Sequence, residues 1–324
     1  MKGVCLIFFV LAILGTVQGD LKMGFYSRSC PKAEKIIQDY VNQHIPRVPS
    51  LGAALIRMHF HDCFVRGCDG SVLLNSTASS GNQTEKTAIP NRTVTGFDFI
   101  DKLKSLLESA CPGIVSCADI IALATRDTIV VTGGPTWRVP TGRRDGTVSI
   151  ASEALAQIPA PSDNITLLQQ SFANKSLDLK DLVLLSGAHT IGIARCPSFS
   201  NRLYNFSASS STDPSLDSEY ADVLRASKCR TPNDNTTLVE MDPGSRRTFD
   251  LSYYRLLLKR RGLFESDSAL TKSSQTLRYV NKILQGSLDN FYKEFGLAME
   301  KMGRIDVKTG SSGEIRRNCA FVNS

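Results

Sequence analysis

Convincing strand signals are nearly absent from this 324-residue chain. Alternation of apolar and polar residues is rarely sustained, which excludes an all-β sandwich or a parallel α/β sheet and leaves a mainly α fold. Long apolar runs are missing too. Past the first residues, runs such as 120–124 and 129–131 are interrupted by Thr125, Arg126 and Asp127 and are too short for a membrane-spanning helix. No repeat of fixed period and no flexible linker divides the sequence, so a solenoid or a string of independent domains is excluded. Histidine is limited to His44, His59, His61 and His189, and tryptophan to Trp137. A histidine-rich metal centre cannot be assembled from so few imidazoles, so each has to be weighed by itself.

What is present begins with Lys2 ahead of an apolar run from Val4 to Leu14 and small residues near Val17-Gln18-Gly19. This pattern reads as an export signal over residues 1–19, followed by a single domain over 20–324. Of the nine cysteines, Cys5 leaves with the signal, and the even number remaining in an exported chain argues for disulfides rather than thiol chemistry. Counting does not choose among the possible pairings. Sequons at Asn75, Asn82, Asn91, Asn164, Asn174, Asn205 and Asn235 fit the secretory route. The formal charge of +7 becomes +6 without Lys2, from 37 basic against 31 acidic residues. The basic residues are dispersed apart from Arg246-Arg247 and Arg260-Arg261, which allows weak attraction to acidic polysaccharide and gives nucleic-acid binding no support.

Helical periodicity dominates. Pro31 opens a run through Ile36, Ile37, Tyr40 and Val41; Phe97, Ile100, Leu103, Leu106 and Leu107 form another stripe; Asp178 and Asp181 cap a helix through Leu182, Leu185 and His189. Further helices are expected near 116–131, 162–174, 215–227, 249–261 and 274–301. Gly, Pro, Ser, Thr and Asn place loops at 75–96, 133–161 and 205–215.

The most informative stretch is Arg57-Met58-His59-Phe60-His61-Asp62-Cys63. On a helix, Arg57 and His61 stand on one face, and an imidazole that takes and returns a proton beside a permanent cation suits cleavage of a small polar bond such as O–O. The same spacing also occurs in ordinary surface pairs. The order Asp62-Cys63-Phe64-Val65-Arg66-Gly67-Cys68-Asp69-Gly70-Ser71 offers alternating oxygens to a hard cation such as calcium, or forms a solvated acidic turn closed by a disulfide. An iron–sulfur reading of Cys63 and Cys68 lacks the further Cys-x2-Cys it needs. His59-x-His61 could be half of a zinc site on a strand, although further ligands are short and Arg57 is an unfavourable neighbour.

Together, Arg57-x-x-x-His61-Asp62-Cys63-Phe64-Val65-x-Gly67-Cys68-Asp69 and Leu185-Ser186-Gly187-Ala188-His189-Thr190-Ile191-Gly192 closely resemble the two signatures of secreted plant (class III) haem peroxidases. The likeness continues through Glu85-Lys86, Pro90-Asn91, Gly142-Arg143-Arg144-Asp145, Pro159-Ala160-Pro161, Arg202-Leu203-Tyr204-Asn205-Phe206 and Gly262-Leu263-Phe264-x-Ser266-Asp267. The resemblance implies the haem-peroxidase fold: ten or more helices with one haem b between a distal and a proximal half. It makes His189 the axial ligand of the haem iron and Asp267 the acceptor of its other ring proton. His61 would move a proton between the two oxygens of hydrogen peroxide, Arg57 would stabilise the developing negative charge, and Asn91, linked to Glu85, would orient His61. In that role Asn91 should be buried and free of glycan. Phe60 would shield the haem edge, and Pro159 would stand where small phenolic donors enter.

Two calcium ions are also implied. One would be held by Asp62, Val65, Gly67, Asp69 and Ser71. The other would be held by Thr190, Asp242, Ser245, Thr248 and Asp250, where Pro243-Gly244-Ser245-Arg246 departs from the family's Thr-Pro pattern. Met241 stands where many relatives carry Phe or Leu, and its flexible thioether could alter haem packing. The implied disulfides are Cys30 with Cys111, Cys63 with Cys68, Cys117 with Cys319, and Cys196 with Cys229. A monomer in the apoplast or cell wall is expected rather than a vacuolar form, because no apolar tail follows Cys319. The rival to catalysis is a secreted calcium-binding or carbohydrate-binding glycoprotein on the same scaffold, which would have no need of Arg57, His61, Asn91, His189 and Asp267 together.

Overall fold

The computed structural model describes residues 20–76, 81 and 83–324. The expected export signal over 1–19, with Cys5, and the sequon asparagine Asn82 lie outside them. Thirteen α-helices among the described residues are joined by one small antiparallel ribbon. The first half contains α1 (Ala33–His44), α2 (Ser50–Phe64), α3 (Phe97–Ala110), α4 (Cys117–Val131) and α5 (Ala151–Gln157). The second contains α6 (Ile165–Ala173), α7 (Leu179–Ser186), α8 (Ser200–Leu203), α9 (Ser218–Ser227), α10 (Ser252–Leu258), α11 (Glu265–Lys272), α12 (Ser274–Gln285) and α13 (Leu288–Met302). Strands β1 (Ile193–Arg195) and β2 (Leu238–Glu240) pair with Ala194 opposite Val239.

The core follows the apolar spacing. Ala33, Ile37 and Val41 recur every four residues and bury one stripe of α1, while α4, whose N-terminus is capped by Ser116 Oγ accepting from Asp119 N, is buried on nearly every side. Both α1 and α2 pack on α4, whereas α12 and α13 pack on α7. Asp178 and Asp181 cap α7 reciprocally, each carboxylate accepting the other's backbone N–H at 2.9 Å. Four disulfides join Cys30 to Cys111, Cys63 to Cys68, Cys117 to Cys319, and Cys196 to Cys229. The Cys117–Cys319 bridge spans 202 residues and ties the start of α4 to the end of the chain.

Several boundaries differ from the sequence expectation. The run expected over 274–301 is broken at Gly286-Ser287, because Ser287 Oγ accepts from Asn290 N and starts α13 afresh. The expected loop 133–161 contains α5, whose helix-forming Ala151-Ser-Glu-Ala-Leu-Ala-Gln157 was masked by flanking Gly and Pro. The helix expected to carry His189 ends at Ser186, and His189 stands on a 3-10 turn over Gly187–Thr190. Gly187 allows the tight approach there, since a Cβ would lie 2.4 Å from the Tyr254 hydroxyl. The helix expected over 249–261 shrinks to α10, where the Asp250 carboxylate accepts Ser252 N at 2.6 Å. Three-residue strands such as β1 and β2 are too short to show a period.

Candidate active site

Helix α2 places Arg57 and His61 one turn apart, with Arg57 Nε donating to His61 Nε2 at 3.3 Å. The guanidinium is fixed from behind by Pro90 O at 2.8 Å and Thr93 Oγ1 at 2.9 Å. Asn91 Nδ2 donates to the Glu85 backbone carbonyl at 2.8 Å, which settles the amide orientation and turns Oδ1 toward His61 Nδ1 at 2.5 Å. An amide oxygen only accepts, so Nδ1 carries the ring proton and Nε2 presents a lone pair. Burial, and then the Arg57 charge, push the His61 imidazole down to about 3 against the raising effect of Asn91. It is therefore a neutral base at ordinary pH. Asn91 is 1 % exposed with both amide atoms engaged, an arrangement that leaves no place for a glycan on Nδ2. The other described sequon asparagines, Asn75, Asn164, Asn174, Asn205 and Asn235, are exposed.

His59 has a different environment. Two residues apart on a helix, its ring and that of His61 point about 200° apart around the axis. His59 Nδ1 lies 3.6 Å from Cys63 Sγ, and burial followed by the charge of Arg143 holds its pKa at about 3. The paired-ligand reading of His59-x-His61 depends on a strand and fails on α2. Among the described residues no group of three or more His, Cys, Asp or Glu converges as a ready-made ligand set, so a cation at either acidic cluster described below would need hydroxyl and backbone oxygens as well.

On the second half, His189 Nδ1 donates to Asp267 Oδ1 at 2.7 Å, leaving Nε2 free on a side chain that is 36 % exposed. Asp267 stands in the first turn of α11, and its Oδ2 accepts Phe264 N at 2.8 Å. Although burial works the other way, the His189 contact and these hydrogen bonds hold its carboxyl below the usual carboxylate range. Phe264 and Tyr253 stand edge-on to the His189 ring at 5.4 and 5.7 Å. Met241 is buried in a cluster with Leu263, against which Phe264 packs.

Half-buried faces of α2 and of the His189 turn define a seam between the two halves. Leu51, Ala53, Ala54, Arg57 and Phe60 form a half-buried stripe at helical spacing on α2, while Leu55, Ile56, Met58 and Cys63 behind them are buried. Ser186, Ala188 and His189 are half-buried as well, and a Cβ on Gly192 would meet Ala53 Cβ at 2.8 Å. The chain just past the His189 turn thus abuts the N-terminal part of the helix that carries Arg57 and His61. A free imidazole nitrogen on one side, a neutral base with a fixed cation on the other, and an apolar stripe between them fit a flat metal macrocycle. Phe60 lies at one edge of this seam, packed against the cluster of Val65, Ala88, Ala154 and Ile158, and half-buried Pro159 directly follows Ile158.

Two oxygen-rich clusters flank the site. Asp62, Asp69, Ser71 and Glu85 are fully buried, and Asp62 Oδ1, Ser71 Oγ and both Glu85 carboxylate oxygens have no hydrogen-bond partner. Burial, then mutual repulsion with Asp69 for Asp62 and with Asp62 for Glu85, pushes both carboxyls well upward. Such orphaned oxygens fit a hard cation and its water. Glu85 thus contributes its backbone to the Asn91 link and its carboxylate to this cluster. Gly67 and Gly70 bend the loop at positive φ, and Val65, its side chain buried, starts the turn. Asp69 Oδ2 also accepts from Lys308 Nζ at 2.5 Å. On the other side, Thr190 Oγ1 lies 3.2–3.4 Å from Asp242 Oδ2, Thr248 O and Asp250 Oδ1, and Ser245 Oγ donates to Asp250 Oδ2 at 3.0 Å. Burial raises Asp242 to about 6. Thr93, Tyr253, Ser252 and Lys308 escaped the sequence reading; of these only Thr93 carried a signal, as the third residue of the Asn91 sequon.

An imidazole base with its cation, set across a seam from a carboxylate-backed imidazole, is the equipment of a peroxide-reducing oxidoreductase that uses haem. Comparison with known proteins agrees: the pattern of the family described as Peroxidase matches residues 37–286. The chain is 66 % identical over 317 residues to Peroxidase 3 of Arabidopsis thaliana, covering 98 % of this chain and 96 % of that protein. It is 66 % identical over 317 residues to Peroxidase 39 of the same plant, with 97 % of each covered, and 53 % identical over 304 residues to Peroxidase 1 of Oryza sativa subsp. japonica, with 92 % of each covered. The chain belongs to the plant haem peroxidase family and is a hydrogen-peroxide-dependent oxidoreductase.

Proposed function

We propose that the seam between α2 and the His189 turn holds one haem b and that the protein uses it to oxidise small phenols, one electron at a time, with hydrogen peroxide. The observation that carries this reading is the pair of imidazoles: His61 with an unprotonated Nε2 that accepts from Arg57 Nε, and His189 with Nδ1 committed to Asp267. His189 Nε2 would hold the haem, which would supply an iron able to take two oxidising equivalents from peroxide. His61 Nε2 accepts a proton from hydrogen peroxide and returns it to the departing oxygen, which leaves as water. Arg57 stabilises the negative charge that develops on that oxygen. Asn91 keeps Nδ1 protonated, so the lone pair needed for this transfer stays on Nε2. Asp267 draws on the His189 ring proton and increases electron donation toward the metal. Phe60, beside His61, would shield the bound group, so that donors would approach near Pro159. Stopped-flow mixing with peroxide and then a panel of phenols tests the reading. Two successive single-electron returns to the resting spectrum are expected, whereas a donor-independent return would count against it.

Further parts of the proposal are a signal over 1–19, one catalytic domain over 20–324, and action as a secreted monomer in the plant wall, with weak attraction to acidic polysaccharide. Among the described residues no helix is long and apolar enough to cross a membrane. Two calcium ions are assigned, one to Asp62, Val65, Gly67, Asp69 and Ser71, the other to Thr190, Asp242, Ser245, Thr248 and Asp250. Hard-oxygen donors and the orphaned buried oxygens support the first; the convergence on Thr190 supports the second. Lys308 introduces a competing cation at Asp69. Lys308→Met is therefore expected to slow calcium loss to a chelator several-fold, measured as metal retained after timed exposure; faster loss would contradict the assignment.

A further inference from the structure

Asp267 is 1 % exposed, and its oxygens are shared unevenly. Oδ2 accepts one backbone N–H, from Phe264, whereas Oδ1 accepts both His189 Nδ1 at 2.7 Å and the Tyr253 hydroxyl at 2.9 Å. Tyr253 comes from α10, is 1 % exposed, and holds its ring at 89° to the His189 imidazole. Its neighbour Tyr254 is equally buried but donates to the Val183 carbonyl, away from the site. The two adjacent tyrosines therefore separate into one that braces the α7 backbone and one aimed at the carboxylate behind the candidate metal ligand.

A carboxylate oxygen that accepts a second hydrogen bond is stabilised in its charged form and becomes a poorer acceptor toward the first donor. The pull of Asp267 on the His189 proton decides how much imidazolate character the ring carries, and so how strongly it donates to a bound metal. We propose that Tyr253 is a positioning residue that limits this pull, fixing the electron donation of His189 through the chain Tyr253–Asp267–His189. This inference rests on the reading that His189 ligates haem iron. The hydroxyl carries the effect; the ring serves only packing.

Tyr253→Phe removes the hydroxyl and keeps the ring. In the haem-loaded protein, freeing Oδ1 for His189 alone is expected to shift the ferric/ferrous midpoint potential to a more negative value and the iron–histidine stretch of the ferrous form to higher frequency. Tyr254→Phe, which loses a purely structural bond, should leave both where they are. Uniform incorporation of fluorinated tyrosine, with more acidic and stronger-donating hydroxyls, tests the same point without a substitution and should shift both quantities the opposite way. Unchanged values in Tyr253→Phe, or equal shifts in both single variants, would overturn the role of Tyr253 while leaving haem ligation intact. Absence of any iron–histidine stretch in the unsubstituted protein would overturn the ligation reading, and this inference with it.

Discussion

His61→Ala is expected to slow the reaction with hydrogen peroxide by on the order of 10²–10⁴-fold, the range that a positioned general base contributes. Haem should be retained, because the metal ligand lies on the other half of the molecule. No other described group stands ready to replace His61. His59 points away around the helix, Arg57 has no lone pair to offer, and Asn91 is bound through both amide atoms. The same geometry fixes the pH profile. A base with its pKa at about 3 stays neutral as pH falls through the ordinary histidine range and is lost only when pH approaches about 3. The acid limb of the peroxide reaction should therefore lie near pH 3, not near 6.5. Stopped-flow rates from pH 7 downward check this, and an acid limb near the unperturbed histidine value would contradict the burial argument.

His189→Ala is expected to abolish stable haem retention. The loss should exceed the roughly 10–100-fold that removing an outer partner of a metal ligand costs, because the ligand itself is gone. The fold should persist, since His189 sits on a half-exposed turn and the core beneath it is formed by Leu182, Val183, Leu184 and Leu185. Gel filtration of haem-loaded protein, followed by its Soret absorbance against protein absorbance, checks both parts. Free imidazole should restore part of the spectrum by filling the space left by the ring. A variant that keeps wild-type absorbance would show that His189 is not the ligand.

The helical content and the pairing of Arg57 with His61 were legible in the sequence for local reasons. Four-residue spacing puts Arg57 and His61 together wherever the chain is helical, and capping by Asp178 and Asp181 needs only neighbouring residues. Spacing alone said less about the proximal side. Asp267 lies 78 residues from His189, so their contact came from family resemblance and not from any period. Tyr253 and Lys308 were missed for the same reason: Lys308 reaches Asp69 across 239 residues, and nothing in Val307-Lys308-Thr309 marks it as facing a buried carboxylate. The turn carrying His189 was misread as α-helix because the close packing at Gly187, where no side chain would fit, comes from helices distant in sequence. The link of Glu85 to Asn91 came from family resemblance, and its division between a backbone bond to Asn91 and a carboxylate facing Asp62 could not be read from sequence.

A crystallographic electron-density map of the haem-loaded protein tests the central claim most directly. The account predicts a single flat macrocycle in the seam between α2 and the Gly187–Thr190 turn, its metal bonded to His189 Nε2 and its opposite face looking toward His61 and Arg57. Density for the macrocycle elsewhere, or the two imidazoles turned away from a common space, would contradict it.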